Sequence, residues 1–479
     1  MLGVETRTRH QWSADDMDLP ETRAAMMNKA VCDYYRCPPT FLDFKLREGL
    51  SDEPVFFSFG TNTTCYGRSC STSTEKEVWL DTAITDQSNG DRLSLPFDPT
   101  EVIDNLRLER YVNRSNWQES LRKLYYIIRP FSTPPLRRTV QRFSARNWQN
   151  ISFPQWPVDT TVESICEQLM LRSMKAKMVD RVPFVWFWPR GARGCVTMTH
   201  DVETELGLNF CDQVMDLDRS AQIKASFQIV PEQRYAVNPE FLEQIRSRGF
   251  EVCIQDLNHD GRLFDDREEF VRRARVINQY GRMFAARGFR AGVLYRRPEW
   301  YDMLEFSFDM SLPNVAHLDP QQGGCCTVSP FFIGQMLEVP VTTTQDYTLF
   351  HILEHRGIDL WKTQTEMILK KNGLASFIVH PDYLLEPELR ALYIELLHYL
   401  CSLREGNDLW FALPSEIDRW WRARDKMQVV QDGQLWRVTG EGSEQATLAF
   451  AQIEEDRLAY KVTAPRMSTA SAEPAKWQS

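Results

Sequence analysis

The sequence contains no run of about eighteen apolar residues, the minimum length for a membrane-spanning helix. Residues 1–20 are polar and acidic and lack the apolar core of a secretion signal. No basic stripe stands out, and the formal net charge is −10, which argues against a nucleic-acid partner. We therefore expect a cytoplasmic protein with no transmembrane segment and no nucleic-acid partner.

Paired CxxC motifs of the zinc-binding type are also absent, although the chain has 11 cysteines. The cysteines are scattered and odd in number, which favours reduced and mostly buried thiols. A disulfide between Cys65 and Cys70 and a redox role for the adjacent Cys325 and Cys326 remain alternatives. No internal repeat is visible.

What the sequence does contain is enough apolar material for a large core. Of 479 residues, 43% are hydrophobic, with 14 Trp and 27 Phe. This length and composition favour one large domain with extensions.

Changes in pattern divide the chain into five predicted segments. They are a flexible N-terminus at 1–30, an accessory α+β region at 31–180, a central region at 181–424, a small β extension at 425–463 and a disordered tail at 464–479.

The central region alternates short apolar strands with amphipathic helices, a pattern typical of a parallel sheet or a (β/α) barrel. The predicted strands are Cys195–Thr199, Ala225–Val230, Glu251–Ile254, Gly292–Leu294, Glu305–Ser307, Leu337–Val341, Ala375–Val379 and Leu409–Phe411. In a barrel, functional groups lie on the loops that follow the carboxyl ends of the strands. Most polar clusters of this chain fall at those positions.

The first cluster is Met-Thr-His-Asp-Val-Glu at residues 198–203. Asp201 and Glu203 are two positions apart, so in a strand they face the same way. Acids at the mouth of an apolar barrel are costly unless they bind a metal or carry protons. A capped loop with two solvated acids is the alternative.

Four further clusters follow along the chain. Gln255 and His259 would point together if their loop coils into a helical turn. Arg290 could bind a carboxylate in a bidentate pair, and Asp309 ends a strand. His380 ends another apolar strand, and the ordinary pKa of a histidine is suited to acid–base catalysis. Taken singly, each also has an ordinary explanation as a surface, capping or turn residue.

The order and spacing of the five clusters resemble the polysaccharide deacetylase family, the carbohydrate esterases that share the NodB homology domain. The resemblance covers roughly residues 190–415. It implies an α/β fold, a distorted (β/α) barrel of the deacetylase type, flanked here by the α+β N-terminal region and the small C-terminal β extension. It also implies a divalent metal, with zinc the expected ion, and an acetylated carbohydrate substrate.

The resemblance assigns a role to the acidic pair and its neighbours. Asp201 would be the general base that takes a proton from metal-bound water, and Arg290 would tether it. Glu203 stands where the family carries its metal acid, and His259 matches the second histidine of the metal pair.

The same resemblance makes His380 the general acid and gives Asp309 the task of orienting it. These two residues would act on the leaving group, because an imidazolium can protonate the departing amine or alcohol.

The chain departs from the family at Gln255, which takes the place of the first metal histidine, and at Glu203, which replaces an aspartate. An amide oxygen is a poor zinc ligand beside imidazole. Glu203, His259 and Gln255 could still hold a weaker or harder ion.

The leading hypothesis is a hydrolase that removes acetyl or similar acyl groups from an amino sugar or polysaccharide precursor. One alternative is a carbohydrate-binding pseudoenzyme, and the other is a metal-independent hydrolase of a small C–N substrate. The polar run Thr342–Asp346 lies on the same predicted rim and is a candidate for substrate contact or helix capping. His351 and His355 have the four-residue spacing of a metal-binding pair, but they are expected to be packed in a helix.

Overall fold

The computed structural model describes residues 20–60, 63–70, 79–80, 93–113, 142, 146–406 and 408–463. The predicted tail at 464–479 lies outside the described residues. Residues 20–35 form a helix, so the segment predicted to be flexible at 1–30 is helical where it is described.

Nine α-helices lie within the described residues. In chain order, α1 to α9 are Pro20–Tyr35, Pro99–Arg107, Thr161–Ala176, Glu205–Ser220, Pro239–Ser247, Arg267–Met283, Asp359–Lys370, Pro387–Gly406 and Pro414–Lys426. None of them combines the length and the apolar composition that crossing a bilayer requires.

The described strands are short, and most belong to one sheet. The first six, β1 to β6, are Phe44–Leu46, Val55–Phe59, Thr63–Gly67, Trp79–Leu80, Leu93–Leu95 and Arg181–Val185. The next nine, β7 to β15, are Gly194–Val202, Ala225–Ile229, Glu251–Gln255, Gly288–Arg290, Phe308–Asp309, Phe331–Ile333, Met336–Glu338, Leu374–Val379 and Leu409–Phe411. The last four, β16 to β19, are Gln428–Asp432, Leu435–Thr439, Leu448–Glu454 and Arg457–Val462.

A nine-stranded sheet forms the centre of the molecule. Its strand order is β12-β13-β11-β10-β9-β8-β7-β14, with β15 also paired to β7. Every pairing is parallel except that of the edge strand β12 with β13. The connecting helices cover the outside, which confirms the predicted distorted (β/α) barrel.

The sheet curls without forming a continuous ladder of strands. The segment that follows β13 bonds to β14 partly through its side chains: the Thr342 hydroxyl donates to Leu374 O and accepts from Ser376 N. The Thr343 hydroxyl likewise donates to Ser376 O at 2.8 Å. Together with the backbone hydrogen bond from Thr343 N to Ser376 O at 3.3 Å, these bonds link the segment after β13 to β14 and close the barrel.

Two of the predicted strands are wrong. Residues 292–294 form a turn in which Val293 and Leu294 have φ of 60° and 52°, the left-handed region that a strand excludes. The strand is instead Gly288–Arg290, in register with β9. The strand predicted at Glu305–Ser307 begins only at Phe308.

A second apolar cluster joins the N-terminal and C-terminal elements. Strand β6 pairs with β18 rather than with the barrel sheet, although it lies inside the interval 181–424. The cluster includes Trp186, Trp188, Trp420 and Trp421, all of them buried. The terminal regions therefore form one body against the amino ends of the barrel strands.

The N-terminal region is also tied to the barrel by a buried ion pair. Glu109, just after α2, accepts two hydrogen bonds from the guanidinium of Arg296, and both side chains are fully buried. Arg296 also donates to Leu294 O. The loop after β10 is therefore held by a residue from outside the barrel.

Candidate active site

The carboxyl end of β7 carries the acidic pair. All nine residues of β7 are buried, and Asp201 lies one residue before its end. Glu203 follows directly, and its side chain is 22% exposed. A buried central strand thus delivers two carboxylates to the rim of the barrel, as the spacing predicts.

Arg290 contacts Asp201 at the end of β10. Its Nη1 donates to Asp201 Oδ1 and to Thr199 Oγ1, and its Nε donates to Met310 O at 3.0 Å. The guanidinium is fully buried. The predicted contact between the two residues is present, but through one nitrogen rather than as a bidentate pair, and the bond fixes the direction of the carboxylate.

Gln255 and His259 both face Glu203. The Gln255 Nε2 donates to Asp201 Oδ2 and to Glu203 Oε1, each at 3.0 Å. His259 Nε2 lies 2.6 Å from the same Glu203 oxygen. The side chains that were expected to point together therefore meet at one carboxylate oxygen.

Unusual backbone conformations place His259 there. Asp256 and His259 both have φ of 54°, a region that Asp and His tolerate better than most residues. A Cβ at Gly292 would lie 2.5 Å from Asp256 Oδ2 and 3.3 Å from His259 Nδ1. A side chain at position 292 would displace Asp256 or His259, which accounts for the glycine there.

His380 lies at the end of β14 and completes the cluster. Its Nε2 is 3.5 Å from Glu203 Oε1, and its side chain is almost entirely buried. Burial alone would lower the pKa of His380, but Asp346 and Glu203 raise it well above its usual value. Burial alone would raise the pKa of Glu203, but His259 and His380 hold it below the usual range.

The prediction that Asp309 orients His380 is wrong. Asp346 does so: its Oδ1 lies 2.6 Å from His380 Nδ1, and its Oδ2 accepts from His380 N at 2.6 Å. Asp346 is the last residue of the polar run after the predicted strand Leu337–Val341. Its position after a predicted strand marked Asp346 as a possible site residue. Only the curling of the sheet, however, brings it beside β14.

Asp309 instead pairs with Glu338 inside the barrel. The two residues are in register on β11 and β13, and both are fully buried. Asp309 accepts from the backbone N and the hydroxyl of Ser311, and Glu338 Oε1 accepts from Leu312 N. Burial raises the pKa of both carboxyls, and the charge of Asp309 raises that of Glu338 further.

We expect the Glu338→Gln variant to gain stability over the wild-type protein as the pH becomes alkaline. The native state keeps a proton on Glu338 that the unfolded chain releases above about pH 4.3, so wild-type stability falls as pH rises from there. Each unit by which the pKa is raised costs about 1.4 kcal/mol. Urea unfolding at pH 5 and pH 8 measures the effect, and Glu299→Gln on the surface is the control. A wild-type slope retained in Glu338→Gln would contradict this account.

A divalent ion fits the chemistry of the cluster. Donor atoms of Asp201, Glu203 and His380 lie within 4.8 Å of one another, and carboxylate and imidazole are common zinc ligands. The Gln255 Oε1 is buried without a hydrogen-bond partner. Because the two ends of an amide have the same shape, a half-turn would present this oxygen to an ion.

Two donor sets are therefore available, and they share Glu203. The predicted set of Glu203, His259 and Gln255 meets at Glu203 Oε1. The second set combines Glu203 with Asp201 and His380. Glu203 is the residue common to both sets.

Other residues considered from the sequence have structural roles. Buried His351 packs its ring against Tyr383 and, with His355, belongs to no cluster of three metal-binding side chains among the described residues. Cys325 and Cys326 are fully buried, and burial raises the pKa of both thiols. The described cysteines are all free, so Cys65 and Cys70 form no disulfide.

No protein-family model and no curated protein sequence matches the chain. Among solved structures, a protein assigned as a polysaccharide deacetylase from Mycobacterium smegmatis is 17% identical, with a TM-score of 0.39 over 52% of this chain and 98% of that one. The Puue allantoinase is 12% identical, with a TM-score of 0.38 over 49% of this chain and 92% of that one. A protein assigned as a polysaccharide deacetylase from Pseudomonas aeruginosa PAO1 is 12% identical, with a TM-score of 0.37 over 48% and 91%. Each match covers about half of this chain.

Proposed function

We propose that this protein is a hydrolase that removes an acetyl or similar acyl group from an amino sugar or a polysaccharide precursor. One observation carries the proposal: Asp201, Glu203 and His380 bring donor atoms within 4.8 Å of one another at the carboxyl ends of the barrel strands. Ends of parallel strands are where barrel enzymes place their catalytic groups.

Asp201 acts as the general base in this proposal. Arg290 occupies Oδ1, while Oδ2 faces Gln255 and the centre of the cluster. The Asp201 carboxylate is thus held with one oxygen directed toward the site, where it accepts a proton from the attacking water.

His380 acts as the general acid. Its Nδ1–H donates to Asp346, which leaves Nε2 directed into the site beside Glu203. In its protonated form, His380 donates the Nε2 proton to the leaving amine or alcohol. Asp346 fixes the ring orientation in the way that a buried carboxylate does in hydrolytic triads.

Glu203, with His259 and Gln255, would hold a divalent ion, zinc being the ion we propose. When bound, such an ion polarises the acyl carbonyl and lowers the pKa of its water. The chain's own task is to orient that water and the acyl group between the base and the acid.

A second candidate is hydrolysis of a C–N bond without a metal. The observation that favours it is the Gln255 amide, whose nitrogen donates to both acids at 3.0 Å. In this arrangement the Gln255 amide and the His259 ring form hydrogen bonds with the carboxylates in the place that an ion would otherwise take.

Acetate release from a panel of N-acetylated and O-acetylated oligosaccharides tests the proposal, with metal content measured on the same preparation. Release with a stoichiometric metal that chelation removes supports the first candidate. Release from a metal-free preparation supports the second. Saccharide binding without release would show a pseudoenzyme and contradict both.

We expect Gln255→His to increase zinc affinity by about tenfold or more, because imidazole is a better zinc ligand than an amide oxygen. Competition with a chromogenic chelator measures the affinity. Gln244→His on the exposed face of α5 is the matched control and should change nothing. An unchanged affinity in Gln255→His would mean that the ion, if bound, lies on the Asp201 side of Glu203.

A further inference from the structure

Arg234 is a cation on the rim of the barrel, and none of the roles above uses it. It lies on the loop that follows β8, and its side chain is half-buried. The guanidinium Nε donates to Asn258 O at 3.2 Å, and Nη2 donates to His259 O at 2.6 Å. Both acceptors belong to the loop after β9 that carries His259, so Arg234 is held beside the candidate active site.

A second contact fastens the same loop to the end of β7. Tyr235 follows Arg234, and its hydroxyl donates to Val202 O and accepts from Val230 N. Val202 lies between the two acids of the site. Burial raises the pKa of Glu203, but the nearby histidines and the charge of Arg234 hold it below the usual range. Arg234 is therefore near enough to the acids for its charge to act on them.

The charge of Arg234 has no counter-ion among the described residues. Arg234 forms no ion pair with a described carboxylate, and its two hydrogen-bond acceptors are neutral backbone carbonyls. The acid of the same loop, Glu232, is engaged elsewhere, since it accepts a hydrogen bond from Tyr280 on α6 at 3.1 Å. A partly buried cation without a carboxylate partner is costly, and a bound anion would remove that cost.

The remaining donors of Arg234 match the geometry of an oxyanion. A guanidinium carries five N–H groups in a rigid plane. The bonds to the two consecutive carbonyls use one N–H group on Nε and one on Nη2. No described residue engages the N–H groups that remain on Nη1 and Nη2, and such a pair binds carboxylate or phosphate oxygens in a bidentate manner. Because the carbonyls fix the plane of the guanidinium, this fork is preorganised.

We propose that Arg234 binds an oxyanion of the substrate, a phosphate or a carboxylate, so that the acyl group is removed from an anionic compound rather than a neutral one. The inference rests on the proposed function and names the charge of the substrate. Arg234 determines specificity in this proposal, because it contacts the substrate but transfers no proton. The wild-type protein therefore prefers an anionic substrate to its neutral analogue.

The test measures acetate release from a neutral compound, N-acetylglucosamine, and from two anionic ones. N-acetylglucosamine 1-phosphate carries a phosphate and N-acetylmuramic acid carries a carboxylate, so the preferred compound identifies the oxyanion. We expect Arg234→Met to raise KM for the preferred anionic compound about tenfold to hundredfold with kcat unchanged, because hydrogen bonds to charged groups are worth that much. KM for N-acetylglucosamine should not move.

Two further variants identify the cause of the effect. Arg234→Lys keeps the charge but not the fork, and it should raise KM for the anionic compound only about threefold to tenfold. Arg275→Met removes a cation from the exposed face of α6 and is the control, with wild-type KM for all compounds. If Arg234 only held the His259 loop, its loss would impair all three substrates alike. Equal effects on neutral and anionic compounds, or none on either, would overturn the proposal.

Calorimetric titration with the same compounds separates this proposal from the proposed function. If no acetate is released but an anionic compound binds about tenfold more tightly than N-acetylglucosamine, and Arg234→Met removes the difference, the anion assignment stands and the hydrolase assignment fails. An anion held only by a metal ion would keep its affinity in Arg234→Met, which contradicts the assignment. If Arg234→Met does not fold, Arg234→Lys replaces it. Absence of preferential binding of either anionic compound to the wild-type protein overturns the proposal without any variant.

Discussion

Asp201→Asn is expected to lower kcat for acyl hydrolysis by about 10³-fold, because general-base catalysis contributes about 10² to 10⁴ and an amide cannot accept the proton from water. The substitution keeps the size of the side chain. It also keeps one oxygen for the Arg290 guanidinium, which donates to Asp201 Oδ1 in the wild type. Initial rates of acetate release on the substrate found in the panel measure the effect.

The control for this variant is Asp302→Asn, an acid of the same type whose side chain is 72% exposed. It should retain wild-type kcat. Thermal unfolding of both variants shows whether the fold is intact. A folded Asp201→Asn variant with more than about one tenth of wild-type kcat would remove Asp201 from the role of base, since such a loss falls below the range for general-base catalysis.

The second large effect is expected from Asp346→Asn, which should lower kcat by about 10²-fold to 10⁴-fold. The carboxylate accepts from His380 Nδ1 and His380 N at 2.6 Å each. An amide has only one acceptor oxygen, so one of these two donors must face an NH2 group. The ring then loses its fixed orientation or its fixed tautomer.

The pH profile identifies the cause of that loss. Burial lowers the pKa of His380, whereas Asp346 and Glu203 raise it well above the usual value. Removing the Asp346 charge lowers the pKa of His380. Because His380 must be protonated to act as the acid, the alkaline limb of the kcat profile should move to lower pH. Asp359→Asn, with a side chain 83% exposed, is the control and should leave the profile unchanged. An Asp346→Asn variant with lower kcat but an unmoved alkaline limb would show only a structural role.

Much of the site was predictable because it is built from strand ends. Asp201, Arg290 and His380 each end an apolar run, and the carboxyl ends of parallel strands meet at one rim. Periodicity identified β7 and β14 but missed β10, and the resemblance to deacetylases supplied the pairing of Arg290 with Asp201. The structure contains that pairing.

What could not be predicted depends on how the sheet closes. Asp309 and Asp346 both follow strand-like segments and are equally good partners for His380 by sequence. The two-residue strand β11 points Asp309 into the barrel interior beside Glu338. The threonine hydroxyls that bond to β14 bring Asp346 to His380 instead.

By itself, the sequence determined the alternation of strands and helices, the acids at the end of β7 and the glutamine at the end of β9, since hydrophobic periodicity and spacing are local properties of the chain. The tertiary structure decided the partner of His380, the closure of the barrel and the contact of Arg234 with the His259 loop. Those features join residues far apart in the chain, and their energies come from hydrogen bonds and burial that no local pattern encodes.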